Sequence, residues 1–262
     1  MINQRGASPG VNQREDMIIK MLNPFTTVPK FLQGYNASRA FAKENGKEID
    51  RLHAEGKYAE EREVIRKGQK KWIETISSKL KITFEVVGEE NIPAEGPFMV
   101  YSNHQGFADI PAICHTFKDH CQMGFVAKEE WRKYKVLREA IIYTRSIFLD
   151  RGNPRAAVKA VGEVKDLLDK GFNMAIFPEG TRSQGHEMGE FKPGAFKFAE
   201  KAKVPVLPMT LDGSYKLFEE KGSYQPCHIK VTIHPLIHLE QMDKHQQKES
   251  AEQIEQTIRS AL

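Results

Sequence analysis

Three cysteines in 262 residues are too few, and odd in number, for a disulfide framework. Cys114, Cys121 and Cys227 also lack metal-ligand spacing, so no zinc site and no other metal is expected. The default environment is a reducing one. No window holds 18 or more uninterrupted apolar residues, which predicts no spanning helix. The opening MINQRGASPGVNQRED has no apolar centre of the kind a secretory signal needs, so export is not expected. Internal repeats and low-complexity tracts are missing as well. The basic run at 66–71 is short and no nucleic-acid module accompanies it, so nucleic acid is not an expected partner.

The residues that remain suit a globular chain with a sizeable core, 40% of them hydrophobic and 28% charged. The formal net charge of +4 is unevenly placed: residues 1–81 hold 16 Lys+Arg against 10 Asp+Glu. A basic excess confined to one end points to an anionic surface as its partner. Three parts are expected: a mobile tail over 1–15, a helical segment over 16–81, and an α/β domain over 82–262.

Within the helical segment, Met17, Ile18, Ile19, Met21, Leu22, Phe25, Val28, Phe31 and Leu32 cluster around Lys20 and Lys30. Pro24 and Pro29 predict a break between a short helix and a second one. A charged stretch with Gly46 and Gly56 follows. From Tyr58 to Leu80, Ile65, Trp72, Ile76 and Leu80 share a helical face, with Arg66, Lys67, Lys70 and Lys71 around it. A basic, amphipathic helix pair carrying Trp and Phe has the composition of an element lying on a membrane surface; the same pattern also arises when the apolar face packs on the main domain.

Beyond residue 82, predicted strands at 82–87, 98–101, 124–126, 146–149, 173–177, 206–210 and 228–234 alternate with helices. Helices are expected at 108–117, 129–143, 154–170, 194–201 and 246–261, the third opened by Asn153-Pro154 as N-cap and first residue. The fold class is α/β, a mixed and mostly parallel sheet of about seven strands covered by helices, preceded by the amphipathic helical segment. Ligands in such sheets bind beyond the carboxyl ends of the strands.

Three loops after predicted strands hold polar residues at those ends. In Asn103-His104-Gln105-Gly106-Phe107-Ala108-Asp109 a histidine precedes an aspartate by five residues. A carboxylate can fix an imidazole's tautomer and stabilise the imidazolium it becomes; an aspartate there can equally cap the following helix. The second loop is Phe148-Leu149-Asp150-Arg151-Gly152 and the third Phe177-Pro178-Glu179-Gly180-Thr181-Arg182-Ser183. Arg151 and Arg182 are able to converge on one oxyanion, since a guanidinium offers a planar fork of donors. Phe191-Lys192-Pro193-Gly194 opens a further helix, and Val204-Pro205-Val206-Leu207-Pro208 flanks a short apolar run with prolines.

These elements in this order, from Asn103-His104 with Asp109 to Val204-Pro205-Val206-Leu207-Pro208, resemble the four motifs of the glycerolipid acyltransferases, most of all the bacterial 1-acylglycerol-3-phosphate acyltransferases. The resemblance spans about half of the chain, Ile82 to Ser214. It implies that His104 is the general base and Asp109 its orienting acid. It further implies that Arg151, Glu179, Gly180, Thr181 and Arg182 form the pocket for the acceptor's phosphate and glycerol, with Asn103 also among the substrate-binding residues. Lys128 falls where the family often places a lysine near the substrate, with the phosphate or the thioester oxyanion as its partner. Family members often carry a proline and a glycine soon after that lysine, whereas this chain reads Trp131-Arg132-Lys133-Tyr134-Lys135-Val136-Leu137-Arg138.

The expected activity is transfer of an acyl group from acyl-CoA or acyl-carrier protein to the sn-2 hydroxyl of 1-acylglycerol-3-phosphate, with no covalent intermediate and no tightly bound cofactor. Another lysophospholipid or glycerol-3-phosphate is the alternative acceptor, and a non-catalytic lipid-binding protein at the membrane surface the alternative class. With the resemblance in hand, the helical segment is expected to seat the chain peripherally on the cytoplasmic face of an anionic membrane.

Overall fold

The structure, a computed structural model, describes residues 27–262. The tail over 1–15 and the part of the apolar cluster from Met17 to Phe25, with Pro24, lie outside the described residues. Two long antiparallel helices come first, α1 (Thr27–Ala54) and α2 (Tyr58–Leu80). The break expected around Pro24 and Pro29 falls at the edge of the described residues, where Pro29 already lies inside α1. A proline in the first turn of a helix forfeits an N–H that has no intrahelical partner anyway, so α1 runs through it. Gly46 does not interrupt α1 either. A Cβ at that position would stand 2.6 Å from the Tyr143 ring, so the glycine is what allows another helix to approach. Gly56, at φ +70°, makes the turn between the two helices.

The sheet contains β1 (Ile82–Val87), β2 (Met99–Ser102), β3 (Gly124–Lys128), β4 (Ile147–Leu149), β5 (Met174–Ile176), β6 (Val206–Asp212) and β7 (Cys227–Ile233), in the order β1-β7-β6-β2-β5-β3-β4. Every pairing is parallel except β6 with β7. β1 and β7 therefore run against the other five. The chain is the mixed, mostly parallel seven-stranded α/β fold that the alternation of elements predicts.

Central strands β2 and β5 are buried on both faces, as parallel strands under helices must be, while β7 alternates with period two. Along β2, Val100 packs into a core with α2 and α3 (Asp109–Phe117), where Ile73, Ile76, Leu80, Ile113 and Phe117 meet. Met99 and Tyr101 point the other way, against α5 (Pro154–Asp169), α6 (Lys197–Ala202) and α7 (Lys244–Arg259). Asn153 caps α5 as expected, accepting from Arg155 and Ala156 N–H. The single helix expected over 129–143 is divided: a 3-10 turn at Glu129–Lys133 ends at Tyr134, and α4 (Lys135–Tyr143) follows.

The hairpin is no loose appendage. Ile73, Ile76 and Leu80 of α2 belong to the main core, and Phe41, Ile49 and Ile65 enclose Phe172 of the α/β region. Each such burial stabilises by about 1.5–3 kcal/mol, enough to make residue 81 a boundary of secondary structure and not of packing. A fully buried Glu61 adds a polar tie, holding His53 Nδ1 at 3.0 Å and pairing with Arg145. Among the described residues no helix is long and apolar enough to cross a membrane.

Strand direction decides what shares an end. The carboxyl ends of β2 to β6 lie at one end of the sheet. Because β1 runs the opposite way, its start, Ile82, lies there too, together with the last turn of α2. The first turns of α1 lie beside it, with Lys30 Nζ donating to Lys79 O at 2.7 Å.

Candidate active site

β2 ends at Ser102, and the next two residues turn into the gap above the sheet. Asn103 continues the pairing of β2 with β6 through its side chain: its Nδ2 donates to Leu211 O and its Oδ1 accepts from Leu211 N–H, both at 2.8 Å. Asn103 is fully buried with both amide atoms engaged. This corrects the expectation that it touches substrate. Its place is beneath the site, where it fixes the direction in which His104 leaves the strand.

His104 Nδ1 lies 2.6 Å from Asp109 Oδ2, at the first residue of α3. The same carboxylate accepts from Gly106 N–H at 2.9 Å and from the Ser214 hydroxyl. Three donors converge on the fully buried carboxylate, and with Nδ1 turned to it, Nε2 is the ring nitrogen left without a protein partner among the described residues. The imidazole stacks on Phe177 at a centroid distance of 4.0 Å and 12° between planes, and its side chain is 18% exposed. Asp109 thus orients the histidine rather than merely capping the helix.

The loop after β5 is zipped to this one. Ser183 N–H donates to His104 O at 2.7 Å and Gln184 N–H to Gln105 O at 3.1 Å. Glu179 closes the ladder, accepting from His104 N–H at 2.6 Å and Gly189 N–H at 2.8 Å. Both its oxygens are therefore used inside the protein. Burial pushes its carboxyl up to about 7, against the pull of the two N–H groups. Glu179 was expected in the substrate pocket; it instead forms the wall that fixes the histidine's backbone. Gly180 has φ +73°, and Lys192 lies across it, with Nζ 3.1 Å from where a Cβ would stand. Thr181 is exposed beside it.

Arg182 spreads its guanidinium over the Phe107 ring, 3.9 Å from Cζ to centroid, and donates to Glu219 Oε1 at 2.7 Å. Glu219, with 2% of its side chain exposed, also accepts from Phe107 N–H at 2.9 Å. Burial raises its carboxyl to about 7, opposed by Arg182. Lys128 ends β3 and Arg151 follows β4. Desolvation first, then the charges of Arg151, Arg182 and Lys192, hold the Lys128 ammonium below its ordinary value, with Glu130 opposing. Four cations thus share one field near His104.

The residues expected from sequence accordingly divide. His104, Asp109, Lys128, Arg151, Gly180, Thr181 and Arg182 come together at the carboxyl ends of β2 to β5, whereas Asn103 and Glu179 stand behind them. The sequence reading missed Gln105, Ser214, Glu219 and Lys192 as parts of the site. Gln105 Oε1 accepts from Gly213 N–H at 3.0 Å and Ser214 N–H at 3.2 Å, tying the loop after β6 to the histidine loop. Gln105 sits inside the His-to-Asp run, where its position was the available signal. Glu219 carries none, because its partners meet only once β6 lies beside β2. Among the described residues no group of three or more His, Cys, Asp or Glu side chains is placed to hold a metal ion.

The family model described as Acyltransferase matches residues 83–212. Over 161 residues the chain is 35% identical to "1-acyl-sn-glycerol-3-phosphate acyltransferase LPAT1, chloroplastic" of Arabidopsis thaliana, covering 60% of this chain and 44% of that one. It is 27% identical over 164 residues to the 1-acyl-sn-glycerol-3-phosphate acyltransferase of Borreliella burgdorferi, covering 62% of this chain and 65% of that one. The chain spans about half the length of several curated relatives that it matches. The crystal structure of the 1-acyl-sn-glycerophosphate (LPA) acyltransferase, PlsC, from Thermotoga maritima superposes with a TM-score of 0.72 at 27% identity, covering 89% of this chain and 93% of that one. Residues 83–212, the part of the α/β domain built around His104 and Asp109, therefore belong to the family described as Acyltransferase.

Proposed function

We propose that the protein transfers an acyl group from an acyl thioester to the sn-2 hydroxyl of 1-acylglycerol-3-phosphate, forming phosphatidate. The observation that carries this reading is the His104–Asp109 pair, 2.6 Å apart and near the cations Lys128, Arg151 and Arg182. The relatives' names supply the acceptor, and the cationic field suits its phosphate.

His104 Nε2 takes the proton of the glycerol hydroxyl as its oxygen attacks the thioester carbonyl. Asp109 stabilises the imidazolium, which general-base catalysis rewards with about 10²–10⁴ in rate. Lys128 is the donor for the developing oxyanion, because the Gly180 N–H already donates to Phe177 O at 3.0 Å. When the tetrahedral species collapses, the C–S bond breaks and the thiolate leaves, taking up the proton that His104 carries. The acyl group passes directly to oxygen, so no serine or cysteine nucleophile takes part. The donor is acyl-CoA or acyl-carrier protein.

We place the reaction at an anionic membrane surface, with the chain bound peripherally on the cytoplasmic face. Most of the hairpin's apolar face is used in packing, but Phe31 and Leu32 of α1 are exposed at the same end of the molecule as the site, next to Lys30.

The test is acyl transfer from labelled acyl-CoA and acyl-carrier protein to 1-acylglycerol-3-phosphate, other lysophospholipids, glycerol-3-phosphate and an unphosphorylated acylglycerol. Transfer to the first, lost in His104→Ala, is the expected result. Activity confined to the unphosphorylated acceptor would refute the phosphate pocket, and no transfer by the parent would favour a non-catalytic lipid-binding protein.

A further inference from the structure

Large apolar side chains are normally scattered singly over a soluble surface. Among the described residues the exposed ones are Phe31, Leu32, Val87, Trp131, Tyr134, Ile142 and Val158, and four of them gather at the site end. Phe31 and Leu32 belong to the hairpin. Trp131 and Tyr134 belong to the segment between β3 and α4, whose residues Trp131, Arg132, Lys133, Tyr134 and Lys135 are all exposed, an uninterrupted run.

The placement of this run follows from the strands around it. Lys128, the last residue of β3 and part of the cationic field, lies three residues before Trp131. α4 leads away from the site end, because β4, which follows it, begins at the opposite end of the sheet. α1 also leads away from the site end and packs along α4. The two exposed pairs therefore stand at the heads of neighbouring, parallel helices, on the rim of the site.

The chemistry within the run is divided. Arg132 pairs with Glu129 and lies over the Phe148 ring of β4, 4.2 Å from Cζ to centroid, which rivets the segment to the sheet. Trp131 and Tyr134, 36% and 48% exposed, face each other at a centroid distance of 5.9 Å. Lys133 lies over the Tyr134 ring and makes no ion pair with a carboxylate among the described residues. Lys135 is 77% exposed, its nearest carboxylate 4.0 Å away on Glu139. Two aromatic rings with a polar edge, interleaved with the unpaired Lys133 ammonium and an exposed Lys135 ammonium held only at 4.0 Å by Glu139, match the level of lipid headgroups, apolar below and anionic above.

We infer that Trp131–Lys135 is a second membrane contact, which with Phe31 and Leu32 seats the rim of the site on an anionic bilayer. It rests on the acyltransferase reading and adds to it the way the acceptor is met. A single contact leaves the body free to tilt about it, whereas two heads side by side set the face that the site presents. The acceptor's headgroup then reaches the cationic field without its acyl chain leaving the lipid.

Trp72 and Trp131 are the only tryptophans, so full-length Trp72→Phe reports on Trp131 alone. On vesicles of phosphatidylcholine with phosphatidylglycerol, its emission is expected to shift to the blue and be quenched by lipids brominated near the headgroup. Co-sedimentation of Lys133→Glu/Lys135→Glu and of Trp131→Ser/Tyr134→Ser, both with Trp72 intact, is expected to weaken by about tenfold or more. Their transfer to a water-soluble short-chain acceptor should match the parent's. Emission unmoved on vesicles that carry the protein down, or sedimentation unchanged in both double variants, overturns the inference. So does absence of vesicle binding, or a run that acidic carrier protein shields while vesicles do not. Failure of the soluble assay in the parent would instead refute the acyltransferase reading and leave the vesicle result standing.

Discussion

A carboxylate that accepts from three donors has little freedom to turn, and Asp109 is such a group. His104→Ala is expected to lower kcat/KM by about 10²–10⁴. Its melting temperature should stay close to the parent's, because the ring's packing is limited to one face of Phe177. Asp109→Asn should lose as much activity, since an amide facing Nδ1 favours the wrong tautomer. Steady-state kinetics beside thermal unfolding separate both from a folding defect. Glu179 offers a second measurement. Its carboxyl titrates near 4.5 when unfolded and near 7 in the fold, so between those values the folded chain binds more protons. Stability falls as pH rises through that window and is level above it. Glu179→Gln removes this share, and its melting temperature is expected to gain on the parent's from about pH 4.5 to 7. Parallel curves would contradict the raised carboxyl.

Elements were legible where their burial was regular. β2, β5 and β6 appear as apolar runs and β7 as an alternating one, and α5 announced itself by Asn153-Pro154. What failed were positions whose meaning depends on a neighbour far along the chain. Gly46 reads as part of a charged stretch after the helix until Tyr143 is beside it, and Pro29 as a helix breaker until it is known to be in a first turn. Asn103 belongs to the motif by spacing, yet its amide spans the gap to Leu211, a contact invisible before β2 and β6 are paired. Glu61 and Arg145, 84 residues apart, were silent for the same reason. Arg145→Met should destabilise by about 3–5 kcal/mol in denaturant unfolding, because it leaves a buried carboxylate with only His53. A loss under 1 kcal/mol would show that water reaches Glu61.

For the molecule as a whole, the hairpin and the α/β domain act as one body. Deleting α1 and α2 would remove Ile73, Ile76 and Leu80 from the main core, so truncation tests folding before it tests lipid binding. The informative change is Phe31→Ser/Leu32→Ser, which touches no core residue. It should reduce co-sedimentation with anionic vesicles while unfolding remains at the parent's temperature; undiminished binding would move the contact elsewhere. Salt should weaken the parent's binding as well, since the lysines at this end act through a screened field.

The reversal of β1 and β7 against the other five strands makes the molecule a one-ended tool with a handle. The turn around His120, between α3 and β3, lies at the opposite end of the sheet from the histidine loop. A linker placed there on a sensor chip or bead would leave the reactive rim facing outward. Attachment at Lys30 or Lys133 would press it against the support.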